Sequence, residues 1–286
     1  MEKITCKHIA ILMATYNGEK YLAEQIDSLL AQTCQDWHLY VHDDGSKDNT
    51  VGIIKEYTRQ HPDKITLLEY PPQGGACKNF LSMMEQVEAP YYMFCDQDDV
   101  WLKEKIAISV ERIREMERQK PGTPIVVYAD LMVTDTNLQV TNHSFWQEIC
   151  LYPEFITNFN EIAASTAITG CAMLFNHKAK QATLLPASHA TMHDAWIAAC
   201  VLKQNGVIQP IHQQLVYYRQ HEGNCIGSED LNHIDLSYRI RNFRKMQRKN
   251  WQLYQMLRSL GYGSIVKFFY YKWIYKQRIH HQTRQQ

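Results

Sequence analysis

Over its first 120 residues the chain alternates short apolar runs with amphipathic stretches, and this alternation limits the fold more than any other feature. "HIAILMATYN", "WHLYVHDD", "ITLLEY" and "YYMFCD" read as strands. Between them lie "EKYLAEQIDSLLAQT", "NTVGIIKEYTRQ" and "CKNFLSMMEQVE". The first of these carries Leu22, Ile26, Leu29 and Leu30 at the three-and-four spacing of an amphipathic helix. "WLKEKIAISVERIREMERQ" follows as a long helix. Such alternation predicts an α/β fold with a mostly parallel, doubly wound sheet. Ligands of such sheets bind beyond the carboxyl ends of the strands. "ATYNG", "HDDGS" and "FCDQDD" all fall at those ends and are expected to meet in one site.

The second half is less regular. "PIVVYADLMVTD" and "AITGCAMLFN" read as strands, "MHDAWIAACVLKQ" as a helix, and "QQLVYYRQH" as a strand running into a loop. From about Asp230 two helical patterns follow without strand signals, which divides the chain into a body, 1–229, and a helical region, 230–286. The body reads as two halves, about 1–120 and 121–229. No signal peptide is visible, and no apolar run reaches the roughly 18 residues of a membrane span. Eight scattered cysteines without a C-x-x-C pair suit the reduced thiols of a cytosolic protein.

Three carboxylates, Asp96, Asp98 and Asp99, crowd the end of "YYMFCD". Like charges gather there if a divalent cation neutralises them, and oxygen donors suit magnesium or manganese. The alternative is a solvated acidic loop in which Asp99 caps the helix beginning near Trp101. Asp43 and Asp44 form a second pair. A turn with helix capping accounts for Gly45 to Asp48, but it leaves Asp44 able to accept hydrogen bonds from a base edge.

In their order and spacing, "ATYNGEKYLAEQIDSLLAQT", "DDGSKDNT", "CDQDD" and "HDAW" resemble family 2 of the glycosyltransferases, which have the GT-A fold. The likeness is strongest to bacterial rhamnosyltransferase-like members that build surface polysaccharide, and it spans about residues 8–225. The resemblance implies a GT-A catalytic domain over 1–229, with a nucleotide-sugar half and an acceptor half. It places Thr15, Tyr16 and Asn17 in the nucleotide pocket, Tyr16 stacking on the base and Asp44 hydrogen-bonding it. Asp98 would bind the metal, Asp96 would sit close to it and to the sugar or ribose, and His221 matches a further metal or diphosphate contact. Asp194 in "HDAW" matches the general base, and Arg219 would face the diphosphate. Lys78 and Asn79, after "GGA", are candidates for the donor sugar, although a helix start needs such residues anyway. The chain departs from the common pattern at Ala14, where many relatives have Pro, and at His193, where Glu is common. His193 then serves to shape the turn before Asp194. The implied reaction is inverting and metal-dependent (Mn2+ or Mg2+), moving a sugar from dTDP-rhamnose or a UDP-sugar to a lipid-linked glycan. A protein of the same fold that binds nucleotide sugar or glycan without turnover is the rival reading. A sugar-1-phosphate nucleotidyltransferase is a poorer one, because "LMATYNGEKYL" lacks a glycine- and basic-rich phosphate loop.

Zero net charge conceals an asymmetry. Residues 236–286 hold 12 of the 30 Lys and Arg and no Asp or Glu. Leu236, Ile240, Phe243, Leu253, Leu257 and Leu260 recur there at helical spacing, and aromatic residues from Phe268 to Tyr275 alternate with lysines. This pattern suits an anionic membrane surface, and with it a peripheral, cytoplasmic-face location. It equally suits helices packed on the body or on a second copy in a homo-oligomer. Nucleic acid is not expected as a partner, since the catalytic motifs give it no role.

Overall fold

In the computed structural model, residues 4–5, 8–164, 168–183, 187–221 and 243–283 are described. Nine strands form the main sheet, eight in the order β4–β3–β2–β6–β10–β8–β11–β7 and the ninth, β9, pairing with the end of β8 off this path. β2 (Ile9–Thr15), β3 (Trp37–Asp43), β4 (Ile65–Leu67) and β6 (Tyr91–Asp96) run parallel, as expected. β10 (Met173–Asn176) lies antiparallel between β6 and β8 (Ile125–Thr134). β11 (Val207–Arg219) runs parallel to β8 and carries the antiparallel β7 (Val100–Trp101), while β9 (Val140–Asn142) pairs antiparallel with β8. Apart from this sheet, β1 (Ile4–Thr5) pairs with β5 (Val87–Glu88).

Successive side chains of a strand point to opposite faces, so each central strand feeds two cores. Ala10 and Leu12 of β2, Tyr92 and Phe94 of β6, and Val126 and Tyr128 of β8 enter one. Ile9, Ile11 and Met13, with Met93 and Cys95, and Ile125 and Val127, enter the other. α1 (Leu22–Leu30), α2 (Thr50–Gln60) and α4 (Lys105–Gln119) cover the second face. α3 (Ala76–Gln86), α5 (Phe145–Glu148), α6 (His177–Ala182) and α7 (His193–Lys203) supply the first. This is the doubly wound arrangement that the alternation predicts.

Two boundaries differ from expectation. The helix expected from Trp101 begins at Lys105, because Val100 and Trp101 pair with Tyr217 and Val216 instead. Asp99 therefore caps no helix: it is buried, and it accepts the backbone N–H of Arg219. "AITGCAMLFN" is a strand only from Met173, since Gly170–Ala172 form a single helical turn.

The boundary near residue 230 lies outside the described residues, as do Leu236 and Ile240. Beyond it, α8 (Phe243–Ser259) and α9 (Ile265–Thr283) pack against the first core through Leu253, Leu257, Leu260, Phe268 and Tyr275. Polar contacts fix them there. Tyr262 Oη donates to the Asn160 carbonyl at 2.6 Å, Lys272 Nζ donates to the Ala163 carbonyl at 3.1 Å, and Arg278 pairs with Glu161 at 2.8 Å. No described helix is long and apolar enough to cross a membrane. Phe268 is wholly buried, edge-on to Tyr254 and Tyr262. Phe268→Ala should cost about 3–5 kcal/mol, whereas Phe269→Ala, next to it but exposed, should stay within about 0.5 kcal/mol. Urea denaturation of both variants checks this, and equal midpoints would mean that α9 does not dock as described.

Candidate active site

The expected convergence at the strand ends occurs. In the sheet register Ala14 stands beside Asp96 and Thr15 beside Asp43, so the loops after β2, β3 and β6 emerge together. They open on a cleft of about 490 Å³ lined in part by Thr15, Tyr16, Asp44, Asp96, Asp98 and Asp194.

The loops are cross-braced. Gln97 accepts the Tyr16 N–H through Oε1 and donates to the Tyr16 carbonyl through Nε2, both at 2.9 Å. Asn17 has φ of +48°, a left-handed conformation that Asn tolerates better than most residues. Its N–H donates to Ser46 Oγ at 2.8 Å and its Oδ1 accepts the Lys47 N–H at 2.8 Å. Asp43 accepts the hydroxyls of Thr15 and Ser46 and the N–H groups of Gly45 and Ser46. Asp44 accepts the N–H groups of Gln73, Gly74 and Gly75, which ties the glycine loop to the cleft that Gly74 and Gly75 help to line.

The acidic end of β6 is electrostatically loaded. Burial, and next the negative charge of Asp98, hold the carboxyls of Asp96 and Asp99 well above the usual carboxylate range. One oxygen of Asp99 is buried without a hydrogen-bond partner. Asp98 Oδ2 lies 2.8 Å from His221 Nε2, and Arg219 Nε donates to the Asp98 carbonyl at 2.8 Å. Besides Arg219, the buried cation near these groups among the described residues is Lys105. Its ammonium sits 3.5 Å from the Trp101 ring centroid and has no hydrogen-bond partner. Burial pulls it down to about 8, opposed by Cys171, Cys95 and Asp99. A divalent cation suits this donor set: a partly exposed carboxylate and an imidazole within contact, a second carboxylate in the same cleft, and excess negative charge to offset. Cys171 brings its sulfur within 4.8 Å of oxygens of Asp96 and Asp99, but a soft sulfur donor suits magnesium or manganese poorly.

Asp194 opens α7 and lines the same cleft. Its Oδ1 accepts the Ala195 N–H at 2.6 Å and its Oδ2 the Gly170 N–H at 3.0 Å, so the carboxylate is clamped from both sides. Burial raises it to about 6, and the two N–H groups restrain that rise. His193 sits beneath, between the rings of Phe80 and Phe94, pushed down to about 3 by burial and therefore neutral. A Cβ at Gly170 would lie 2.3 Å from His193 Nε2, so this close packing requires glycine.

The family model described as glycosyl transferase family 2 matches residues 10–181, well over half of the chain. The chain belongs to that family. It is a glycosyltransferase, and its fold is GT-A. A protein named dTDP-rhamnosyl transferase RfbG, from Shigella flexneri, is 27% identical over 227 residues, covering 76% of this chain and 74% of the relative. Among solved structures, the Pyrobaculum calidifontis mannosyltransferase PcManGT in complex with GDP-Man and Mn2+ aligns with a TM-score of 0.57 at 14% identity, over 92% of this chain and 77% of that one. Staphylococcus aureus TarS 1–349 in complex with UDP-GlcNAc aligns with a TM-score of 0.56 at 20% identity. That match covers 80% of this chain but only 62% of TarS.

Of the residues that the resemblance singles out, Thr15, Tyr16, Asp44, Asn79, Asp96, Asp98 and Asp194 line the glycosyltransferase cleft. Four do not. Asn17 serves the cross-brace, and Lys78 lies exposed on the first turn of α3. His221 reaches the cleft only through Asp98. Arg219, expected at the diphosphate, is buried against the Tyr21 ring, with its guanidinium on Glu24, the Asp98 carbonyl and the Thr136 carbonyl. It holds the acidic loop instead. Asn79 lines the cleft, but its amide is taken by His42, which leaves it little to offer a sugar. The sequence reading missed Gln97, Thr169 to Cys171, Met192 and Tyr218. No local pattern marks them, although the Gly in "ITGCAM" hinted at a close backbone approach.

Proposed function

We propose that this glycosyltransferase is inverting and metal-dependent, and that it moves a sugar from dTDP-rhamnose or a UDP-sugar to a hydroxyl of a lipid-linked bacterial surface glycan. The observation that carries the reading is the presence of Asp98 and Asp194 in one cleft, the first paired with an imidazole and the second clamped and raised to about 6. The names of RfbG and of the PcManGT and TarS complexes support a nucleotide-sugar donor.

The nucleotide base would stack on Tyr16, which is 53% exposed at the rim. Asp44 already accepts three N–H groups, so a base N–H would take the one lone-pair position a carboxylate has left. Asp98, Asp96 and His221 would hold a divalent cation, which offsets the charge growing on the diphosphate leaving group. Asp194 accepts the proton of the acceptor hydroxyl as that oxygen attacks the anomeric carbon. Attack comes from the face opposite the leaving group. The C–O bond to the diphosphate breaks as the glycosidic bond forms, and a single displacement inverts the anomeric configuration.

The test is a panel of nucleotide sugars incubated with manganese and an undecaprenyl-diphosphate-linked acceptor glycan, scored by release of nucleoside diphosphate. One donor should be consumed with acceptor present. Donors that bind but are never consumed would instead make the chain a nucleotide-sugar-binding protein.

A further inference from the structure

We propose that the outward face of α9 is a docking surface for an anionic lipid bilayer. Both faces of this helix are defined. Phe268, Lys272 and Tyr275 turn inward onto the body. Ile265, Val266, Phe269, Tyr270 and Trp273 turn outward, each between 37% and 75% exposed. Their spacing of one, four, five and eight residues puts them on one stripe, and Lys276, also exposed, continues it by a further turn.

This concentration sets the two terminal helices apart. Nine large apolar side chains are exposed among the described residues, and seven lie in α8 and α9. The packing of these helices onto the body accounts for Phe268, Leu257 and Tyr275, but it leaves the stripe uncovered. On α8, the exposed Trp251 and Met246 stand among the exposed Arg244, Lys245, Arg248 and Lys249.

Charge decides the occupant. Residues 236–286 carry no acidic side chain; of their basic ones Lys272 and Arg278 turn to the body, while Arg244, Lys245, Arg248, Lys249, Arg258 and Lys276 are exposed. A symmetric contact with a second copy would bring the same basic surface against itself, which like charges oppose. An anionic bilayer reverses that sign, and Trp and Tyr beside Lys are the side chains that settle at the headgroup level. No described helix is long and apolar enough to cross the bilayer.

The experiment is co-sedimentation of the full chain with vesicles of phosphatidylcholine alone or mixed with phosphatidylglycerol. The double variant Phe269→Gln with Trp273→Gln changes two exposed residues outside the cleft, so its thermal unfolding should match that of the parent chain. The parent chain should sediment with the anionic vesicles, and binding should weaken with salt but persist, since apolar insertion is not screened. The double variant should bind those vesicles at least about tenfold less well. Negligible binding by the parent chain, or unchanged binding by the double variant, would overturn the proposal. So would a concentration-dependent dimer abolished by the same two substitutions, which would assign the stripe to a second copy.

Discussion

Asp194→Asn is expected to keep donor and cation bound while turnover falls by roughly 10²–10⁴-fold, the scale of a lost general base. Asn preserves the shape of the side chain but cannot take the acceptor proton. It also presents an amide where the carboxylate accepts from both Ala195 and Gly170, so one of those N–H groups loses its partner. The pH profile adds a separate check. As the proposed base Asp194 would work in its ionised form, and burial raises the group from 3.8 to about 6. The parent enzyme should therefore lose activity as pH falls through about 6, by about tenfold per unit once below it. The residual rate of the variant should show no such limb. Quench-flow or steady-state assays with saturating donor between pH 5 and pH 8 would measure both. Near-normal turnover, or an unchanged acid limb in the variant, would remove Asp194 from this role.

Neighbouring residues decided how much could be read from the chain itself. The two-faced character of β2 is written in the order Ile9, Ala10, Ile11, Leu12, Met13, and the strand-end positions of Asp44 and Asp96 and the helix-start position of Asp194 follow from where apolar periodicity stops or begins. The misreadings all involve distant partners. Asp99 looks like a helix cap until β11 returns to pair with Val100 and Trp101. Arg219 looks available to a diphosphate until Glu24, 195 residues earlier, is seen against its guanidinium. The Gly170 N–H that clamps Asp194 belongs to a turn with no periodicity at all. The tail divides in the same way. Helical spacing marked Leu253, Leu257 and Leu260 as one face, but only the fold shows that this face meets the body and that the aromatic stripe does not.

Removing the cation site should have an effect at least as large as removing the base. Asp98→Asn, or excess chelator with the parent enzyme, is expected to lower transfer by about 10³-fold or more, because the proposed metal would supply several kcal/mol of leaving-group stabilisation. The two treatments differ in a useful way. Added manganese should restore the chelated enzyme fully and the variant hardly at all. Cation uptake should also release protons, since ligands bind in their deprotonated form and Asp96 is held above the usual carboxylate range by burial and by Asp98. Titrating manganese into weakly buffered enzyme near neutral pH would measure that release. His221→Ala should weaken uptake less than Asp98→Asn, because it removes a neutral donor and leaves the charge in place. Full transfer in excess chelator, or manganese binding by Asp98→Asn as tight as the parent's, would show that the acidic end of β6 serves the fold and not a metal.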